Sequence, residues 1–212
     1  MDVVVLGGHG QIARQLLALL AARGDRALGI VRNPDHVDDL RSIGAEGLVG
    51  DVESESITPL VAGADAVVMA AGSGPGSGPE RKRTVDYGGA VKLIDAARAN
   101  GVTRYAIVSS MGAGDPEAAA GAMRAYLQAK ADADAALRDS GLDFTIVRPG
   151  RLTDDPGTGR VEAASSLGRR GSITRADTAA VLLAALDTPS SIGRTFEVLE
   201  GETPIAEAIA AL

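Results

Sequence analysis

Apolar residues fall in short unbroken blocks along the first two-thirds of the chain, with longer mixed stretches between them. Val3-Val4-Val5-Leu6, Val67-Val68-Met69-Ala70-Ala71 and Ala106-Ile107-Val108 contain no polar position. Such runs predict strands covered on both faces, as in a parallel sheet lying between helices. In the mixed stretches apolar residues recur three or four apart, the spacing of one helix face. The pattern predicts strands at 2–6, 26–31, 47–49, 66–70, 104–109 and 143–147. It predicts helices at 11–23 and 34–43, a long helix within 80–100, another within 116–140, and a helical turn at 57–61. Gly24, Gly101 and Gly141 stand where three of these helices should stop. Strands and helices alternating at this spacing form right-handed crossovers, so the expected class is α/β with a doubly wound parallel sheet. After Pro149 the rhythm breaks into a Gly- and Arg-rich stretch. A helix at 175–186, a strand at 195–199 and a terminal helix from 204 follow. One domain spanning 1–212 is expected, with 149–212 as a small irregular region on the substrate side.

The first strand runs directly into Gly7-Gly8-His9-Gly10-Gln11-Ile12-Ala13. Strand, glycine turn and helix in that order form the pyrophosphate site of a Rossmann fold. Gly7 permits the tight turn, and Gly10 lets the backbone approach the phosphates. The amides of the first helical turn, at Gln11 and Ile12, attract negative charge. Ala13 is the third small residue, where helix and strand pack closely. His9 could add a ring contact to phosphate, although a residue there commonly offers only its backbone. His36, at the start of a short helix, is expected to face solvent.

The second strand decides which dinucleotide is expected. NAD-binding units end that strand on a carboxylate that binds the ribose hydroxyls. Here it ends Val31-Arg32-Asn33. A guanidinium pairs with a 2′-phosphate, so Arg32 favours NADP over NAD. Asp51, followed by Val52, stands after the third strand, where a carboxylate can accept from the adenine amino group. Capping the turn that follows is an equal alternative for Asp51. Ala70-Ala71-Gly72 offers a passage of small residues along which the cofactor would lie. The Gly/Ser/Pro run 72–79 after it reads either as a mobile flap over the cofactor or as an ordinary surface loop.

Composition narrows the partners. A formal net charge of −7 argues against general affinity for nucleic acid or an anionic membrane surface. The chain has no cysteine, which removes disulfides and thiolate chemistry. Its two histidines lie far apart in sequence and give no metal-site pattern. No apolar run approaches the roughly 20 residues of a membrane span. A small-molecule partner and a cytoplasmic location are the expectations, and oligomeric state is left open.

Tyr126 and Lys130 sit at i and i+4 on one predicted helix face. A cation beside a phenol favours the phenolate and suits the pair to proton transfer. Ser109-Ser110 ends the fifth strand, at the sheet edge from which that helix departs. A serine hydroxyl there could polarise a substrate carbonyl. Arg81-Lys82-Arg83 could meet an acidic ligand, but a solvated helix start is the favoured reading. Asp154-Asp155 reads as an ordinary turn, and Gly150, Arg151 and Leu152 as possible lining of the substrate site.

The glycine turn, Ser109-Ser110, Tyr126-x-x-x-Lys130 and Arg148-Pro149-Gly150 together resemble the short-chain dehydrogenase/reductase superfamily. Val49-Gly50-Asp51-Val52, Val85-Asp86-Tyr87-x-Gly89 and Arg175-Ala176-Asp177 are similar to its atypical compact members, near NmrA-like proteins and biliverdin/flavin reductase B. The resemblance implies Ser110 as catalytic serine, Tyr126 as acid/base, and Lys130 as its modulator and a ribose ligand. It also implies that Pro149 shapes the nicotinamide pocket. The chain departs from the wider superfamily at Asp86, where an active-site asparagine is usual, and this puts the asparagine-based proton relay in question. The leading expectation is an NADP-dependent oxidoreductase acting on a small carbonyl or related acceptor. The alternatives are a non-catalytic NADP-binding regulator, a flavin-, quinone- or biliverdin-type reductase, and an epimerase or dehydratase.

Overall fold

The computed structural model describes residues 1–74 and 76–212, so Pro75, within the loop read as a flap, lies outside the described residues. The first half comprises β1 (Asp2–Leu6), α1 (Gln11–Arg23), β2 (Arg26–Val31), α2 (His36–Ser42) and β3 (Glu46–Val49). The second comprises β4 (Ala66–Met69), α3 (Pro79–Arg81), α4 (Gly88–Ala99), β5 (Arg104–Val108), α5 (Gly121–Arg138) and β6 (Asp143–Pro149). Beyond it come β7 (Arg151–Thr153), β8 (Arg160–Ala164), β9 (Ser172–Thr174), α6 (Arg175–Asp187), β10 (Arg194–Glu200), β11 (Thr203–Pro204) and α7 (Ile205–Ala210).

Strands β3-β2-β1-β4-β5-β6-β10 lie side by side and parallel, and β8 and β11 continue the sheet antiparallel. The fold is therefore the doubly wound Rossmann α/β type. Strand order reverses between β1 and β4, the switch point at which such sheets leave a crevice outside the carboxyl ends of their strands. Both faces are dry. Val3 and Val5 pack under α1 and α6, while Val4 and Leu6 pack toward α4 and α5. That two-sided burial is why these strands read as unbroken apolar runs.

Three departures from the sequence pattern bear on the site. The predicted helix within 80–100 is interrupted by a π-helical segment, Lys82–Tyr87, between α3 and α4. Such widened turns are frequent at functional sites, because they re-aim side chains that regular helix would hide. The helix expected within 116–140 leaves the start of that stretch to a single 3-10 turn at Pro116–Ala118 and begins at Gly121. The irregular tail also contains β7 and β9, which pair as a two-stranded parallel ribbon, and β8 and β11 on the main sheet. These strands are too short or too exposed to produce an apolar block. No described helix is long and apolar enough to cross a membrane.

Gly7 has φ +85°, and a Cβ there would lie 2.5 Å from Ala71 Cα. Gly8 packs as tightly on β2, with its Cβ position 2.7 Å from Gly29 Cα. Gly7→Ala combines left-handed backbone with overlap against fixed backbone. We expect a loss of about 1–3 kcal/mol, read as a lower urea midpoint at unchanged slope.

Candidate functional site

The glycine turn is built by the β1 and β2 ends. The Gly7 and Gly8 amides both donate to Ile30 O, at 3.2 and 2.9 Å, and the Gly10 amide donates to Gly7 O at 2.8 Å. Gly10 then caps α1 in extended backbone, with no side-chain cap and no acidic residue in the first turn. The positive end of α1 is thus left to attract an anion from outside the helix. Two cavities meet there, of about 360 and 630 Å3. Gly10, Ala70, Ala71 and Gly72 wall both, and Gln11 and Ile12 border the larger. A long two-ended ligand, with its charged middle at the α1 terminus, matches this shape.

The smaller cavity lies beyond β2 and β3, with Gly7, His9, Arg32, Asp51 and Val52 on its walls. Arg32 is exposed, and its nearest anion is Glu53, with N and O 3.6 Å apart. Glu53 also pairs with Arg81 at 3.2 Å and accepts the Thr84 hydroxyl at 2.7 Å. A single carboxylate therefore bridges the two guanidiniums at this end. The Asp51 carboxylate accepts the Glu53 amide at 2.9 Å, so its capping role is realised here. The expectation that His36 faces solvent needs correction. Its ring stacks on His9 at 3.6 Å between centroids, and His9 Nε2 lies 2.8 Å from an Asp39 oxygen.

The larger cavity gathers Asp86, Lys130 and Tyr126. Asp86 comes from the π-helical segment and is fully buried, and Lys130 from α5 is nearly so. Lys130 Nζ stands 3.4 Å from Asp86 Oδ1 and donates to Val108 O at 3.1 Å. Asp86 Oδ2 accepts the Ser73 amide at 3.1 Å, while Oδ1 has no hydrogen-bond partner among the described residues. The half-buried Tyr126 ring has two cations near it, Lys82 Nζ at 5.6 Å and Lys130 Nζ at 5.9 Å. Lys82 departs from the reading of 81–83 as a solvated helix start, because it is buried and lines the cavity, while Arg81 and Arg83 are exposed as that reading expects. Widening of the helix at 82–87 turns both Lys82 and Asp86 inward. Lys82 also donates to the Ser77 hydroxyl at 3.1 Å, so with Asp86 it pins the described part of the 72–79 loop against the cavity.

Ser109 and Ser110 separate at the end of β5. Ser109 is buried beside Asp134, which accepts two hydrogen bonds from Arg148 at 2.8 and 2.9 Å on one oxygen. Burial raises the Asp134 carboxyl above the ordinary carboxylate range despite that guanidinium. Ser110 instead borders a third cavity of about 1130 Å3 together with Tyr126 and Pro149. Tyr126 and Met123 wall both this groove and the larger of the first two cavities. Arg175, at the start of α6, lines the larger cavity as well, held by Asp154 at 2.8 Å. Asp154 thus does more than close a turn, since Gln11 also reaches it at 3.5 Å.

Comparison with known proteins decides the family. Residues 7–189 match the family model described as NAD(P)H-binding. The chain belongs to the NAD(P)H-binding family. Within it, the chain is 39% identical to YhfK of Bacillus subtilis, named as an uncharacterized sugar epimerase, over 99% of both chains. A solved Bacillus halodurans protein, assigned by name to the NAD-dependent epimerase/dehydratases, is 42% identical. It superposes with a TM-score of 0.96 over 100% of both chains. An oxidoreductase from Lactococcus lactis, ylbE, is 27% identical with a TM-score of 0.87, over 100% of this chain and 96% of that one. These NAD(P)H-binding relatives fit the atypical short-chain dehydrogenase/reductases, whose ligand is a nicotinamide dinucleotide, and the two joined cavities offer room for one. The Gly7 and Gly8 approaches and the uncapped α1 terminus fit its pyrophosphate without any side chain in the way.

Proposed function

We propose that the protein is an NADPH-dependent reductase of a small carbonyl or related acceptor. The observation that carries this reading is the position of Tyr126, a phenol on the shared wall between the dinucleotide cavity and a separate groove. In this reading the adenosine half occupies the cavity at Arg32, and the nicotinamide half the cavity at Lys130. When bound, the reduced cofactor supplies a hydride. Tyr126 donates its phenolic proton to the acceptor oxygen. Ser110, on the groove side, donates a hydrogen bond to the same oxygen as negative charge develops there. Asp86 and Val108 O fix Lys130 so that its charge stays beside the phenol through the step. Asp86 stands at a position where an asparagine is usual, and it serves here by anchoring Lys130 and Ser73 rather than by donating an amide hydrogen.

Arg32 supports NADP, and Glu53 tempers it. Arg32→Ala should weaken NADPH binding about tenfold or more and leave NADH nearly unchanged, since a charge-assisted bond contributes about 1.5–3 kcal/mol. Fluorescence titration of both cofactors checks this, and equal losses would remove the 2′-phosphate assignment. Glu53→Gln frees Arg32 and Arg81 from their shared carboxylate, so NADPH should bind about twofold to fivefold tighter. The names of the relatives raise epimerisation as a second reading. A reductase consumes NADPH in step with product, whereas an epimerase returns its cofactor unchanged. Measuring NADPH oxidation against a panel of aldehydes, quinones and flavins therefore separates the two. Tight cofactor binding with no turnover of any acceptor would favour a regulator.

A further inference from the structure

The groove beyond Tyr126 carries three arginines that the reaction above does not use: Arg151, Arg169 and Arg170. Arg169 pairs with Glu162. Among the described residues, neither Arg151 nor Arg170 lies within ion-pair distance of a carboxylate. Glu197 also borders the groove, but its Oε2 accepts the Leu167 amide at 2.7 Å. The chain as a whole is acidic, yet two exposed guanidiniums with no carboxylate partner among the described residues line this cavity of about 1130 Å3.

Their placement is built into the backbone. The Arg151 amide donates to Gly171 O at 2.9 Å, joining the start of β7 to the segment before β9. A Cβ at Gly150 would lie 2.6 Å from Gly171 O, and one at Gly171 would lie 2.9 Å from Leu199 Cδ1. Glycine at both positions lets the two segments close on each other and on β10. Arg151 and Arg170 are thereby carried on touching backbones, at the wall that also holds Ser110 and Pro149. Met123 and Leu127 from α5 supply an apolar side to the same groove.

We propose that this groove holds the acceptor by an oxyanion group, a carboxylate or phosphate, bound between Arg151 and Arg170, with an apolar body directed toward Tyr126. Two guanidinium forks match either oxyanion and would orient it away from the proton donor. The assignment of the occupant as the acceptor rests on Tyr126 as proton donor, but anion binding by the groove does not.

Calorimetric titration of the NADP+-saturated protein with 2-naphthoate, 2-naphthyl phosphate and neutral 2-naphthamide tests it. Saturation with NADP+ keeps the phosphate probe out of the dinucleotide site. At least one anion should bind about tenfold tighter than the amide, and the preference should shrink as salt is raised. The double variant R151A/R170A should bind anion and amide alike while keeping its NADP+ affinity, and R151K/R170K should restore part of the preference. Which anion binds tighter distinguishes carboxylate from phosphate as the group recognised. Equal binding of anions and amide by the unaltered protein, no binding of either anion, or a preference that survives R151A/R170A would overturn the proposal. An anion preference of the expected kind in a protein that turns over no acceptor would uphold the groove and sink the reductase reading.

Discussion

Replacing Tyr126 with Phe is expected to lower NADPH-dependent turnover of carbonyl acceptors by about a hundredfold to ten-thousandfold, the usual range for loss of a placed acid. NADPH affinity should stay within about twofold, because the change deletes one oxygen and keeps the ring that walls the cavity. The effect should fall on kcat and kcat/KM alike, since a proton delivered only in the transition state adds little to ground-state binding. Lys82 and Lys130 both stand near that ring, so the variant leaves two ammoniums beside an aromatic face with no phenol to serve. Steady-state rates on paired acceptors make the result specific. Carbonyls should lose turnover, whereas a flavin or quinone unaffected by the change would point to hydride transfer without acid assistance. Carbonyl turnover undiminished in Tyr126→Phe would remove the tyrosine from the reaction.

The second large effect is structural. Asp134 is fully buried in α5 and takes both hydrogen bonds from Arg148, which is itself largely enclosed. Asp134→Ala should cost about 3–5 kcal/mol, because it strands a buried guanidinium. The pH dependence has a definite sign. Burial raises the carboxyl in the folded protein above its unfolded value of about 3.9, so the folded state holds the proton more tightly. The stability this contributes is complete below the unfolded value and is lost as pH rises through the raised folded value. Urea unfolding of the unaltered protein and Asp134→Asn, whose amide stands in for the neutral acid, should therefore agree best near pH 4, with the unaltered protein losing stability relative to the variant as pH rises. An unaltered protein that gains stability relative to Asp134→Asn as pH rises would contradict the burial argument. Since Arg148 leads directly into Pro149 and Gly150, the Asp134 variants should also loosen the groove that Ser110 borders.

The core sheet and the glycine turn were readable because each follows from local pattern. Val3-Val4-Val5-Leu6 has no polar position, and a strand with two dry faces needs none. The doubly wound class follows from the alternation of such runs with helical stretches, and the family resemblance from the glycine turn taken together with motifs along most of the chain. What escaped the sequence depends on residues brought together from afar. Lys82 looks like part of a basic helix start until the π-helical segment turns it under Tyr126. Glu53 sits in an unremarkable acidic turn, yet it is the residue that ties Arg32 to Arg81. His9 and His36 are separated by two elements and stack only after β1 and α2 are placed. Arg175 and Asp154 meet across the cavity mouth because Thr174 caps α6 and Asp177 holds the Thr158 and Gly159 amides. The β7–β9 ribbon leaves no apolar signature, since its strands are three residues each and arginine-rich turns surround them.

A crystal structure of the protein with NADP+ bears most directly on how the cofactor and Tyr126 work together. The adenosine end should lie in the cavity between His9 and Arg32, with the 2′-phosphate on the Arg32 guanidinium. The pyrophosphate should rest on the α1 terminus, and the nicotinamide C4 should face the Tyr126 hydroxyl, open to the groove at Ser110. A dinucleotide lying the other way, or a nicotinamide turned from Tyr126 toward solvent, would contradict the assignment of Tyr126 as the proton donor.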